Sequence, residues 1–240
     1  MNWLGRFIMV HTAYGKTLTK IQKQGREVLM SQKYHDTIAD YDWIKYKGLA
    51  PGGYAVDYGF CYTLVRVLNM FQPKSILECG LGQSSRLIHQ YATHFNARAV
   101  TCEHSQEWTR FFLKEIDGRY PINVQIVELE NIEYNGRTTL TYKRDHELFH
   151  GEKYDLILID GPFASPNYSR SQIIELCKHS LNDKFCIIID DYDRKGERET
   201  IDEVKKVLRK QGIDYCFTTY SSSKEHALVC SADLSFLTTL

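Results

Sequence analysis

The sequence predicts a doubly wound α/β domain with a seven-stranded, mostly parallel sheet, helices on both faces and a C-terminal antiparallel hairpin. Three observations carry this expectation. Apolar runs of strand length alternate with helical stretches from residue 75 onward, and such alternation builds a parallel sheet covered on both sides. The runs at 154–160 and 185–190 are almost continuously apolar, as strands buried on two faces are. No helical segment separates 215–219 from 226–230, so these last two strands pair as a hairpin at one edge.

The elements follow in order. Residues 1–50 are helical in character and rich in Lys, Gln and Tyr, and Pro51-Gly52-Gly53 then marks a turn. From Asp57 to Phe71, apolar residues recur at helical spacing (Phe60, Leu64, Val67, Leu68, Phe71), and Pro73 stops that helix. Strands are expected at 75–79, 99–103, 124–129, 154–160 and 185–190. Helices are expected at 84–95, 106–116, 169–181 and 197–211. Within 131–153 the stretch Arg137–Tyr142 reads equally as a short strand or a loop. The turn at 51–53 divides the chain into 1–50, a helical lid or dimer contact, and 51–240, the ligand-binding domain.

Composition narrows the function. Lys+Arg and Asp+Glu both number 30, so no global field draws nucleic acid, and none is expected as a partner. The seven cysteines, at 61, 79, 102, 177, 186, 216 and 230, include no Cys-x-x-Cys pair. They read as buried, reduced thiols of a cytoplasmic protein. No run approaches the roughly 18 apolar residues a membrane span needs. Trp3, Leu4, Phe7 and Ile8 form either a peripheral membrane contact or a helix face packed on the domain or a partner subunit.

The most informative stretch is Ser75-Ile-Leu-Glu78-Cys-Gly80-Leu-Gly82-Gln83-Ser84-Ser85. An apolar strand ends in an acid, passes two glycines and enters a helix. Glycines let a ligand approach the backbone, and a helix start offers N–H groups without intrahelical partners. Glu78 is placed to meet a ligand cation or hydroxyl. Gln83, Ser84 and Ser85 are placed to donate to the ligand while capping the helix.

Ligands of such sheets lie outside the carboxyl ends of the strands, and the strand ends here are acidic. Glu103 closes the second strand, where an acid accepts hydrogen bonds from a ribose diol, and His104 lies beside it. Asp160 closes the fourth strand and Asp190-Asp191 the fifth. The loop lacks the third glycine of the dinucleotide fingerprint, a helical region precedes the first strand, and a hairpin follows the last helix. These features favour S-adenosylmethionine over a dinucleotide.

On these residues the chain resembles the Rossmann-like class I S-adenosylmethionine-dependent methyltransferases over roughly residues 50–230. Leu-Ile-Leu-Ile-Asp160-Gly-Pro and Ile-Ile-Ile-Asp190-Asp191-Tyr192 are similar to a metal-dependent O-methyltransferase subgroup. That subgroup includes catechol O-methyltransferase and the sugar O-methyltransferases of macrolide and aminocoumarin biosynthesis. The Gly-Leu-Gly loop and Ile-Asp-Gly-Pro also resemble, more loosely, the plant glucuronoxylan methyltransferases. The resemblance implies S-adenosylmethionine as cofactor, with Gly80, Gly82 and Asp160 in its site. It also implies Mg²⁺ or Mn²⁺ on Asp160, Asp190 and Asp191, and a sugar, polysaccharide precursor or other small molecule as acceptor.

Three hard carboxylates suit Mg²⁺ or Mn²⁺, and a metal on two vicinal hydroxyls lowers their pKa. Alternatively, Asp190 and Asp191 cap the next helix or pair with Arg194 and Arg198. The lysine that the catechol enzyme carries three residues after its fourth-strand acid is Phe163 here. Asp160, Asp193 and His226 are therefore the candidate bases, and Asp191 a catalytic candidate through the metal. Tyr168 offers a stacking face for a sugar, and Arg170 a cation for a carboxylate or phosphate.

Overall fold

The computed structural model describes the backbone of residues 3–240 and the side chains of residues 14–240. The side chains of Trp3, Leu4, Phe7 and Ile8 lie outside the described residues. Helix α1 (Trp3–Ala39) and α2 (Tyr58–Phe71) precede β1 (Ser75–Cys79), α3 (Gln83–Phe95), β2 (Arg98–Glu103), α4 (Gln106–Ile116) and β3 (Val124–Ile126). Then come β4 (Leu129–Tyr134), β5 (Arg137–Tyr142), β6 (Tyr154–Ile159), α5 (Gln172–His179), β7 (Leu181–Ile189), α6 (Lys195–Lys210), β8 (Tyr215–Ser221) and β9 (Glu225–Ser231).

Seven strands form one sheet in the order β3-β2-β1-β6-β7-β9-β8. The first five pair in parallel, and β9 runs antiparallel to both β7 and β8. The expected architecture is therefore present. Strand residues alternate between faces, which splits the core in two. Ile76, Leu156, Leu158 and Ile188 pack against Tyr34 of α1, Phe60 and Leu64 of α2 and Leu87 of α3. Leu77, Ile157, Ile159 and Ile187 pack against Ile173 of α5 and Ile201, Val204 and Leu208 of α6. The C-terminal half of α1 and the segment after it enter the first core through Tyr34, Ile38, Trp43 and Ile44. All seven cysteines are free, and all but the half-buried Cys216 are buried. Among the described residues, no helix is long and apolar enough to cross a membrane.

Two expected elements change and one segment is added. The strand expected over 124–129 ends at Ile126, and the chain then forms a separate two-stranded sheet, β4–β5. Its turn is Asn135-Gly136, with φ of 49° and 72°, the left-handed pair that a two-residue hairpin requires. This settles Arg137–Tyr142 as a strand. The helix expected over 169–181 is confined to Gln172–His179, because Tyr168 (φ 45°) and Arg170 (φ 59°) are left-handed and cannot join a right-handed helix. Finally, residues 232–239 form a 3-10 segment that buries Leu234 and Leu237. The sequence reading left that segment unassigned.

Strand β1 sits between β2 and β6, where the chain's direction of sheet growth reverses, and ligands of such sheets bind outside the carboxyl ends of the strands at that point. Gly80 leaves β1 with φ +103°, and a Cβ on it would lie 2.8 Å from the backbone nitrogen of Gly161. The loops after β1 and β6 touch only because neither carries a side chain at this point. Gly80→Ala is expected to lower stability by about 1–3 kcal/mol from backbone strain, read by urea denaturation. A change below ~0.5 kcal/mol, the range of ordinary surface substitutions, contradicts that account.

Candidate functional site

The glycine loop is held from below by a buried acid. Glu78, on β1, is fully buried and accepts from Ser84 Oγ and Ser85 Oγ (2.6 Å each) and Thr101 Oγ1 (2.7 Å). Burial pushes its pKa up to about 7, against the three hydroxyls that pull it down. Ser85 Oγ also accepts from Gly82 N at 2.9 Å, closing the first turn of α3. Glu78, Ser84 and Ser85 were expected to face the ligand. They instead form a buried bracket under the loop, because the strand alternation that places Leu77 and Cys79 on one face turns Glu78 to the other, beneath α3. Gln83 accepts from Ala50 N (3.1 Å), which ties the chain after α1 to the same turn. Above the bracket, a side chain on Gly82 would meet nothing within 4 Å, so the loop backbone faces open space at the start of a helix.

The second strand brings its acid to this loop. Glu103 Oε2 accepts from Leu81 N at 3.1 Å, and Oε1 accepts from His104 N and Ser105 N at 2.8 Å each. Three backbone N–H groups therefore fix a carboxylate beside the glycine turn. His104 Nδ1 lies 2.9 Å from Glu103 Oε1, and its ring stands edge-on to the exposed Phe163, 4.6 Å between centroids. Trp108, which the sequence reading passed over, donates from Nε1 to Leu81 O at 2.8 Å. Leu81 is thus pinned through both its N–H and its carbonyl. A Trp in the first turn of the helix after Glu103 was the available signal.

The third group lies where β6 and β7 end. Carboxylate oxygens of Asp160, Asp190 and Asp191 all lie within 4.8 Å of one another. They converge as the sequence implied, but they meet cations. Arg170 Nη2 lies 2.9 Å from Asp191 Oδ2 and 3.4 Å from Asp160 Oδ1, and Nη1 donates to Asp190 O at 2.9 Å. Lys224 Nζ lies 3.3 Å from Asp190 Oδ2 and 3.5 Å from Asp191 Oδ1. Arg194 reaches Asp191 Oδ2 at 2.9 Å. Glu197, fully buried, lies behind Arg170 at 3.8 Å. Four acids thus share three cations. Burial outweighs those cations at Asp160, whose pKa rises to about 6, and at Asp190, which rises to about 8 with Asp160 adding repulsion.

Several expected roles change in this geometry. Arg170 is 3% exposed and spent on the acids, so it is a counter-ion and not a substrate anchor. Asp191, with φ 59°, turns its carboxylate onto Arg170, Arg194 and Lys224, which makes it a holder of cations. Asp193 points outward to Lys23 at 3.6 Å with its side chain 43% exposed, so it is not in the cluster. His226 is buried against Thr63 Oγ1 at 2.9 Å, and burial lowers its pKa to about 4. That contact lies on the α2 side of the sheet and removes it as a base. Tyr168 packs on Tyr134, 4.9 Å between centroids, and its hydroxyl accepts from Asn135 at 3.3 Å. It braces the β4–β5 hairpin. Asp160, with its side chain 19% exposed, is the acid of the cluster most open to solvent.

Two ligands were implied, and the residues fit them differently. The open backbone at Gly82, at the start of α3, and the fixed Glu103 carboxylate suit a nucleoside-bearing sulfonium. A divalent ion asks for oxygens like those of Asp160, Asp190 and Asp191, but Arg170 and Lys224 already lie among them. With those cations in place the set does not fit a metal.

The fold is shared with known structures. A caffeoyl-CoA O-methyltransferase-like protein of Staphylococcus aureus superposes with a TM-score of 0.50 at 15% identity, over 87% of this chain and 99% of that one. A Podospora anserina methyltransferase with bound S-adenosylhomocysteine gives 0.48 at 14% identity, over 87% and 88%. A Pyrococcus furiosus methyltransferase gives 0.44 at 15%, over 87% and 98%. No family model matches the chain, and no curated protein matches it. The first likeness, with the strand order, makes this the Rossmann-like methyltransferase fold.

Proposed function

We propose that the chain is an S-adenosylmethionine-dependent O-methyltransferase whose acceptor is a hydroxyl of a sugar, a polysaccharide precursor or another small molecule. The observation that carries this reading is the meeting of three features at one end of the sheet. An open glycine turn, an acid fixed beside it on the adjacent strand, and a part-exposed acid after β6 all lie at the carboxyl ends of β2, β1 and β6.

Each residue then has a role. The Gly80–Gly82 backbone and the start of α3 receive the amino-acid end of the cofactor. Glu103 accepts from the ribose hydroxyls, and His104 and Phe163 flank the base. Bound S-adenosylmethionine supplies an electrophilic methyl on a sulfonium, transferred in line to oxygen with the electron pair left on sulfur. Asp160 accepts the proton that the acceptor hydroxyl gives up, and its raised pKa suits that work near neutrality. Arg170 and Lys224 hold the acids around it, so positioning carries much of the catalysis.

Calorimetric titration tests the cofactor. S-adenosylhomocysteine is expected to bind and NAD to fail, and the reverse result sinks the reading. Glu103→Ala is expected to weaken S-adenosylhomocysteine binding by about 1–3 kcal/mol, the cost of losing a charged acceptor. An unchanged dissociation constant removes Glu103 from the site. A metal-assisted reading has one observation in its favour: buried Asp190 Oδ1 accepts no hydrogen bond from the described residues. Turnover abolished by EDTA and restored by Mg²⁺ would select it.

A further inference from the structure

The turn between β8 and β9 is built to aim one lysine into the acid cluster. Its residues are Ser222, Ser223 and Lys224. Ser222 Oγ donates to Glu27 of α1, and Ser222 packs so closely on α2 that a Cβ at Gly59 would fall 2.6 Å from its own Cβ. Ser223 Oγ and Lys224 N both donate to Asp57 Oδ2, at 3.1 and 2.8 Å. Asp57 spends its other oxygen on Phe60 N, capping α2. The lysine backbone is therefore held by the two helices that precede the sheet. Its side chain is held as well, because Nζ donates to Ala55 O at 2.9 Å. From that anchor Nζ reaches Asp190 at 3.3 Å and Asp191 at 3.5 Å, with the side chain only 15% exposed. A solvated surface lysine has none of these constraints.

We infer that Lys224 is the resident cation of this cluster: its ammonium occupies the position a divalent metal would take between Asp190 and Asp191, and so closes the site to metals. Three observations converge on this. The ammonium lies within 3.5 Å of a carboxylate oxygen on two of the three acids a metal would use. Its donors are directed by a carbonyl as well as by carboxylates, so its position is specified on more than one side. Arg170 occupies carboxylate oxygens of Asp160 and Asp191, at 3.4 and 2.9 Å. The catalytic consequence, a positive charge beside the acceptor oxygen without a metal, rests on the methyl-transfer reading above. The exclusion of metal does not.

Mn²⁺ titration followed by electron paramagnetic resonance tests the inference without an activity assay, because free Mn²⁺ gives the strong signal and bound Mn²⁺ loses it. The wild-type chain is expected to bind no stoichiometric Mn²⁺. Lys224→Met, which keeps the side-chain length and removes the charge, is expected to bind one equivalent, at least about tenfold more tightly than wild type. That is a lower bound for deleting a unit charge about 4 Å from carboxylates at an effective dielectric near 20. Lys224→Arg, which keeps the charge, is expected to behave as wild type. The inference is overturned if wild type binds one Mn²⁺ that Asp190→Asn abolishes, a result that needs no lysine variant to fold. It is equally overturned if folded Lys224→Met, verified by circular dichroism, binds Mn²⁺ no better than wild type. S-adenosylhomocysteine titration of the same samples reads the methyl-transfer proposal separately. Metal exclusion with no cofactor binding would sink that proposal and leave this one standing.

Discussion

Replacing Arg170 by alanine is expected to destabilise the fold by about 3–5 kcal/mol, the cost of removing one partner from a buried ionic group. The guanidinium is 3% exposed, and the carboxylates of Asp160, Asp191 and Glu197 lie 2.9–3.8 Å from its nitrogens. Without it, those carboxylates face one another with only Lys224 and Arg194 to compensate. The deficit should grow with pH. Uncompensated acids have raised folded pKa values, so the folded state binds more protons than the unfolded chain and loses stability as pH rises through those values. Urea denaturation at pH 5 and pH 8 checks both magnitude and direction. Arg170→Lys, which keeps the charge but not the planar fork, should fall between wild type and alanine. A substrate-binding arginine would instead leave stability unchanged and raise KM, so a loss below ~1 kcal/mol would restore the role first expected for it.

The second large effect belongs to Asp160. Asp160→Asn is expected to lower kcat by about 10²–10⁴, the usual contribution of a positioned proton acceptor. S-adenosylhomocysteine affinity should change far less, because the proposed function assigns the cofactor to Gly82 and Glu103. A base works when ionised, and burial raises the pKa of Asp160, the proposed base, from 3.8 to about 6. Wild-type turnover should therefore climb as pH rises through about 6 and level off above it, and the asparagine variant should lose that limb. Steady-state kinetics between pH 5 and 8 measure this. Equal losses in turnover and cofactor affinity would mean that Asp160 shapes the site and does no proton transfer.

Legibility followed the range of the interaction. The alternation of Ile76/Leu77 and Leu156/Ile157 between two cores, the Gly80–Gly82 turn and the acid after each strand are all local patterns. A strand's faces, a turn's backbone and a strand's end are settled within a few residues. The Asn135-Gly136 hairpin was equally local, and its dipeptide was a signal that went unread. Glu78 was misplaced for a different reason. Its position after an apolar strand was clear, but Thr101 lies 23 residues away on the neighbouring strand. Only sheet pairing shows that the carboxylate already accepts a third hydrogen bond from within the protein.

The sequence alone therefore determined the layered parallel sheet, the glycine turn after its first strand and the convergence of Asp160, Asp190 and Asp191. Periodicity and strand ends dictate these without knowledge of long-range partners. Tertiary structure decided what those acids meet. Arg170 reaches Asp191 across 21 residues, Lys224 reaches Asp190 across 34, and Glu27 secures the lysine turn across 195. A counter-ion is chosen by position in space, and separations of that size leave no spacing in the chain to read. The same carboxylates hold a metal or a lysine according to which side chain the fold delivers between them.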